Sequence, residues 1–556
     1  MRTFFERFTL RLGALPARRV TWGLVFVFSV WVLLDVLVIH FTSGMARSSF
    51  DAMVRARVVA AAPDPRMVII DIDEATLARM APEFGRWPWP RDTLATVLDH
   101  IEKQQPAAIA WDIIFSDADR LSPGGDAAFN AAVARSQHSH FAVTRLTAAN
   151  DTTSALTRAQ LPGLWATPAT SSQRTSTVAL IAPVLPAVAA ARMGFNNGYP
   201  DADGVLRRYR YRETLPDGSQ IQSLAAAVAS SLIPDGKDEA RHARFDKDEL
   251  IAWRKAPEAY PRINFADVFA HAEGDKPLAT VPSFAGKVVL IGATAPSLHD
   301  IHPTPLSPLQ AGVESLATAI DNAINQRVVH ELPRWLQAAL AIALCMGIAL
   351  WVQFKSIDSL APALVALPLA LLGLGYLSLN GAPIFLDLHL AAALALLFLA
   401  LLRYWNGLRQ QFWRKPFEQA GVPMALWPIE GAEPWLGEPL DRLIDALEAH
   451  APDCRVVVAD ASVTWPGKLL WPELVRHAAV VGPAQQLQAS RAALVAQLGP
   501  RLLTSADTLM PLADDLPRDK LAQTCLVAWA ADVGERRGLV NQQGQQQMTN
   551  KQGTTR

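Results

Sequence analysis

Apolar residues are arranged in two ways along this chain. Four runs are long and almost continuously apolar, while the rest of the chain alternates short apolar stretches with polar ones. The long runs are "VTWGLVFVFSVWVLLDVLVIHF", Val20 to Phe41, then "LQAALAIALCMGIALWVQF" from Leu336, "LAPALVALPLALLGLGYLSL" from Leu360 and "IFLDLHLAAALALLFLALLRYW" from Ile384. A helix needs roughly 20 apolar residues to cross a bilayer, so each run predicts a span. The first is too long for a signal-peptide core, and no A-x-A site follows in "FTSGMARSS", which predicts an uncleaved anchor.

Between the first two runs the pattern is that of a folded domain. In "RMVIIDIDEATLARM" the apolar stretch Met67–Ile70 predicts a buried strand with Asp71 and Asp73 at its carboxyl end. "WPRDTLATVLDHIEKQQ" has helical spacing, with Leu94, Val97, Leu98 and Ile101 on one face and Pro90 and Asp92 at the start. "PAAIAWDIIFSDADR" predicts a second strand, again followed by acids: Asp112, Asp117 and Asp119. Strand, helix and strand in this order predict a βαβ unit with a right-handed crossover. Further on, "IQSLAAAVASSLI" predicts an amphipathic helix, Val288–Ile291 a buried strand, and "GVESLATAIDNAIN" a helix. Beyond the fourth run, "EPLDRLIDALEAH" predicts an amphipathic helix and "CRVVVADAS" a strand ending at Asp460. "LWPELVRHAAVVG", "QLQASRAALVAQLG" and "DKLAQTCLVAWAADVGERRG" predict more helices, and the polar end "NQQGQQQMTNKQGTTR" predicts disorder.

The expected fold class is therefore a membrane protein. It has a mixed α/β extracytoplasmic domain, four transmembrane α-helices and a small α/β cytoplasmic domain. The expected boundaries are a basic N-terminus over 1–19, spans at 20–41, 335–354, 359–379 and 384–404, the outer domain at 42–334, the cytoplasmic domain at 405–540 and the tail at 541–556. Composition agrees, with 51% apolar and 19% charged residues. A net charge of −1 gives no reason to expect nucleic acid as a partner. Orientation follows from basic flanks: Arg2, Arg7, Arg11, Arg18 and Arg19 precede the first run, and Arg403, Arg409, Arg414 and Lys415 follow the fourth. Positive residues stay inside, so both ends are expected in the cytoplasm. Cys345, Cys454 and Cys525 are the only cysteines, so the outer domain holds no disulfide and the three form no metal pattern.

Six segments of the outer domain together resemble the CHASE2 family of bacterial extracellular sensor domains. They are "MVIIDIDEATL", "GRWPWPRDTLATVLDHI", "IAWDIIFSDADR", "DADGVLRRYRY", "FAGKVVLIGATAPSLHDIHPTPL" and "AGVESLATAIDNAI". The order of one span, sensor, three spans and cytoplasmic part is similar to that family too. The resemblance implies a receptor in the bacterial inner membrane that reports an extracytoplasmic condition. The family's usual outputs are cyclases and kinases, but this chain has no GGDEF string, no kinase Gly-rich loop with HRD and DFG, and no Walker A. Its output is thus expected to pass through a separate effector protein, with no enzyme activity and no cofactor. A homodimer is expected, because paired helices transmit small shifts.

Ligands of open α/β sheets sit beyond the carboxyl ends of strands. The candidate contacts for an unknown small ligand or ion are accordingly Asp71, Asp73, Asp112, Asp117, Thr294 after the Val288–Ile291 strand, and Asp300. Trp89 and Arg91 of "GRWPWPRDTL" and Arg207 after "DADG" complete the set. Arg91 is expected to pair with one of the acids. Of the two tryptophans, Trp87 and Trp89, one is expected in the core and one near the surface. The acids equally suit helix caps and turns, and Gly204 suits a tight turn at positive φ. "DIDEAT" also allows an extracytoplasmic metal-dependent hydrolase using Asp71 and Asp73, although no lysine and downstream acid complete a phosphatase set. A membrane anchor that senses nothing is a third possibility.

Overall fold

Met67–Ile72 carries long or β-branched apolar side chains at five of six positions, which suits a strand covered on both faces. In the computed structural model it forms the strand β1, with all six residues buried. The structure describes residues 12–166, 173, 176–232, 248–274, 281–354, 357–414, 422–459, 472–506, 508–512 and 521–536. Arg2, Arg7, Arg11, Lys415, Asp460 and the tail lie outside them.

The described chain divides into two units. One is Ser43–Leu332 with Leu374–Asp387, and the other comprises the remaining described residues. The first unit is built on a seven-stranded sheet. Its strands are β1, β2 (Ala108–Trp111), β3 (Ser139–Arg145), β4 (Leu180–Ile181), β5 (Arg192–Phe195), β6 (Arg262–Asn264) and β7 (Val288–Ala293). The order is β6–β1–β7–β2–β3, with every pair parallel. Strand β5 continues the parallel array beside β3, and the two-residue β4 pairs antiparallel with Thr144 and Arg145.

Alternation along β1 feeds two cores. Val68, Ile70 and Ile72 join the helices Glu74–Phe84, Arg91–Glu102, Gly125–Arg135 and Phe265–Ala272 on one face. Met67 and Ile69 join Phe41–Ala56, Leu224–Ser231 and Gly312–Ile324 on the other. The mixed α/β expectation thus resolves into a mainly parallel sheet covered by helices on both sides.

Several expectations need correction. Strands β1 and β2 are not neighbours, because β7 lies between them, and two helices rather than one separate them in sequence. The segment Glu74–Phe84, given no element above, is a helix, capped at its start by Asp73. Leu224–Ser231 is not amphipathic: Leu224 through Ala229 are all buried, as suits a helix of small residues pressed against a sheet.

In the second unit, four helices are long and apolar enough to cross a membrane: Ala17–Ile39, Arg334–Gln353, Ala363–Gly381 and His389–Trp413. The last part of the third, from Leu374, is counted with the first unit. Asp35, within the first apolar run, is 2% exposed. Its carboxylate accepts from the Phe41 amide at 2.8 Å and the Thr42 hydroxyl at 2.6 Å, holding the start of the next helix across the break at His40.

The C-terminal region is an antiparallel five-stranded sheet with helices packed against it. Helices Glu438–His450 and Ala484–Leu502 cover one face and Leu521–Arg536 the other. His477–Pro483, expected within a helix, is an interior strand of the sheet, between Arg455–Val458 and Met424–Gly431. An apolar stretch this short carries no period of its own, so length and pairing decide its state.

Candidate functional site

Parallel strands bring their carboxyl ends to one edge of the sheet, and a cavity of about 440 Å³ opens there in the first unit. Ile72 ends β1, Ala293 ends β7, and Asp112 and Asn196 follow β2 and β5; all four line it. The opposite wall is Gly312, Ser315 and Leu316 in the first turns of the helix Gly312–Ile324, with Asp300 and His302 from the strand pair just before it. Trp87, Leu206 and Tyr209 close the sides.

Each polar group has a local cause. The Asp300 carbonyl accepts from the Gly312 amide at 2.9 Å, drawing the loop tightly onto the helix start. A Cβ at position 312 would run into the Asp300 carboxylate, so glycine is required by close approach. His302 Nε2 lies 3.0 Å from Ser315 Oγ, and burial lowers its pKa, so the imidazole is neutral near pH 7. Asp112 accepts from the Asn196 amide nitrogen at 2.9 Å. Burial pushes the Asp112 carboxyl up to about 7, and the Asp300 carboxylate acts in the same direction. Asp300 is raised as well, through partial desolvation, although the residue as a whole is exposed. Burial also raises the Tyr209 phenol, which stays protonated.

A second cavity of about 420 Å³ adjoins this one and shares Trp87, Pro88, Ile113 and Ile114. Arg86, Trp89, Arg91 and Asp117 line its far side. The "GRWPWPRDTL" loop is therefore the partition between two cavities, with Trp87 half-buried and Trp89 2% exposed against Phe265.

Of the nine expected contact residues, the structure brings Asp112 and Asp300 together. The others have different tasks. Asp71 is not beyond its strand but inside it, 4% exposed, accepting from Thr294 Oγ1 at 2.7 and 2.8 Å, with Arg262 at 3.7 Å. Thr294 is thereby committed to Asp71. Asp73 caps its helix by accepting from the Thr76 amide at 2.7 Å and also accepts from Asn264 at 2.8 Å. Trp89 is a core residue at the wall of the second cavity. Arg91 pairs with Asp126, an acid not anticipated, and donates to the Asp117 carbonyl. Asp117 is exposed. Arg207 is 2% exposed and saturated by Asp51, Asp201 and Asp203 at 2.7–3.0 Å. Of the neighbouring His299, Asp300 and His302, the last two line the cavity. Among the described residues, no three His, Cys, Asp or Glu side chains gather as a metal site.

Asn196, Tyr209 and Ser315 were not anticipated. Asn196 sits in a turn-rich stretch without periodicity, and Ser315 reads as one polar position of a helix. Tyr209 carried a signal: in "RRYRYRE" the alternation places Tyr209 and Tyr211 on one buried face, their rings 4.9 Å apart.

Among known protein families, the CHASE2 domain model matches residues 24–352. Neither the curated proteins nor the solved structures contain a match. More than half of the chain lies within the family model, and the chain belongs to the CHASE2 family, whose domains are extracellular sensory domains.

Proposed function

We propose that this chain is a transmembrane receptor whose CHASE2 domain binds a small extracytoplasmic ligand in the cavity at the carboxyl edge of its sheet. The observation that carries this reading is the cavity itself. It is of ligand size, it lies where open α/β sheets hold ligands, and Asp112 and Asp300 converge in it. In this reading the four apolar helices span the bacterial inner membrane, with both chain ends in the cytoplasm. The receptor works as a homodimer, and the antiparallel C-terminal domain engages a separate effector protein.

Relay requires stiff connections at the ends of the spans. At the cytoplasmic end of the fourth helix, Arg409 is 2% exposed and donates to Glu448 at 2.8 Å and to Asp445. Gln410 and Asn406 donate to Asp441 at 3.1–3.4 Å. Three side chains of one helix thus grip one face of Glu438–His450, which supports transmission of a helix shift into the C-terminal domain.

A ligand shifts a receptor only by binding its two states unequally. The test is thermal unfolding of the full chain in lipid nanodiscs against a library of small metabolites, for the wild type and for Ser315→Trp, which fills the cavity. At least one compound is expected to stabilise the wild type and to leave Ser315→Trp unchanged. Stabilisation of both to the same degree, or of neither, overturns the reading.

A further inference from the structure

Arginines of the first unit are almost all engaged. Each described one apart from Arg86 and Arg120 meets a carboxylate, a carbonyl oxygen, a ring or another near group. Arg86 and Arg120 have no partner among the described residues, and both line the second cavity, of about 420 Å³. They come from separate segments: Arg86 stands before the helix Arg91–Glu102, and Arg120 in the loop after β2. The other charges at this cavity are already answered. Arg91 is held by Asp126 and by the Asp117 carbonyl. The Asp119 carboxylate accepts from the backbone amides of Arg91 and Leu121 at 2.8 Å and of Ser122 at 3.1 Å. Asp117, exposed, is the remaining lining acid, against two unpaired cations. Between the charges the walls are apolar: Trp87, Ile113 and Ile114 are half-buried, and Leu121 is 59% exposed. Ligand sites combine apolar walls with a few orienting polar groups in this way. A guanidinium fork matches a carboxylate, and the apolar walls suit a body that a bare inorganic anion lacks.

We propose that this second cavity binds a small carboxylate with an aromatic or other apolar body. The Arg86 and Arg120 guanidinium groups donate to its carboxylate, and its body lies along Trp87, Ile113 and Leu121. The site is distinct from the cavity at the carboxyl edge of the sheet, and it does not depend on the receptor reading.

The test is calorimetric titration of the full chain in detergent with benzoate, phenylacetate and indole-3-acetate. Indole-3-ethanol carries the ring without the charge, tryptamine the ring with the opposite charge, and acetate and inorganic phosphate the charge without the ring. At least one aromatic acid is expected to bind saturably and more tightly than all four comparisons. Arg86→Gln with Arg120→Gln is expected to weaken it at least about tenfold, the loss of one hydrogen bond to a charged group. Both arginines are exposed, so an unchanged melting temperature of the unliganded double variant shows that it folds. Ala118→Trp, which fills this cavity, is expected to abolish binding, and Ser315→Trp, in the neighbouring one, to leave it unchanged. No binding of an aromatic acid, equal binding to the double arginine variant, or equal binding of indole-3-ethanol or phosphate overturns the proposal. Binding that Ser315→Trp abolishes and Ala118→Trp spares also overturns it, and leaves the receptor reading standing with its ligand in the carboxyl-edge cavity.

Discussion

Asp112 makes the sharpest case for what one residue's surroundings do. Its carboxyl lies at about 7 in the folded chain against an ordinary 3.8, with Asp300, His302 and Tyr209 facing the same space. The folded state therefore holds a proton that the unfolded chain has already released. The associated stability is full below 3.8 and is lost as pH rises through about 7. Melting temperature is expected to fall across that window in the wild type and to fall less in Asp112→Asn; equal slopes would contradict this. Arg207 shows the opposite environment. Arg207→Met strands Asp51 in the interior and is expected to cost about 3–5 kcal/mol in denaturant unfolding. Trp89→Ala is expected to cost about 3–5 kcal/mol as a core truncation, whereas Arg91→Ala removes the ion pair with Asp126 and the hydrogen bond to the Asp117 carbonyl and is expected to cost about 1–3 kcal/mol. Sequence reasoning found the acids but could not rank them. Asp71, Asp73 and Asp112 look alike beside their apolar strands, and only the position of Arg262, Thr76 and Thr294 in space shows which of them is left for a ligand.

At the scale of elements, patterning served best where one face is wet. Arg91–Glu102 and Glu438–His450 matched their expected helical spacing. It served worst where an element is buried all round, as in Leu224–Ser231, or short, as in His477–Pro483. Strand order was not legible at all, because β7, the strand between β1 and β2, comes from a segment almost two hundred residues downstream (Val288–Ala293 against Ala108–Trp111). The cap at Asp73 gives a clean check on the division of labour. Asp73→Ala is expected to lower stability by about 1 kcal/mol and to leave the affinity for a cavity ligand unchanged. A loss of affinity would return Asp73 to the ligand site. The grip of Arg409 on Glu438–His450 is testable in the same way: Arg409→Ala is expected to speed amide exchange in that helix while leaving exchange in the CHASE2 sheet unaltered.

For the whole molecule, four apolar helices were legible from composition and length alone, and the CHASE2 assignment from six motifs in series. The antiparallel topology of the C-terminal domain was not, since its pairings join segments of sequence with no shared motif. The account of the whole depends on a change at the cavity reaching the C-terminal domain. The most direct measurement is hydrogen–deuterium exchange on the full chain in lipid nanodiscs, with and without a compound that stabilises the wild type and not Ser315→Trp. The receptor account predicts altered exchange both around Asp112, Asp300 and Ser315 and in Glu438–His450, with both changes absent in Ser315→Trp. Altered exchange confined to the cavity, with Glu438–His450 unmoved in the wild type, would contradict it.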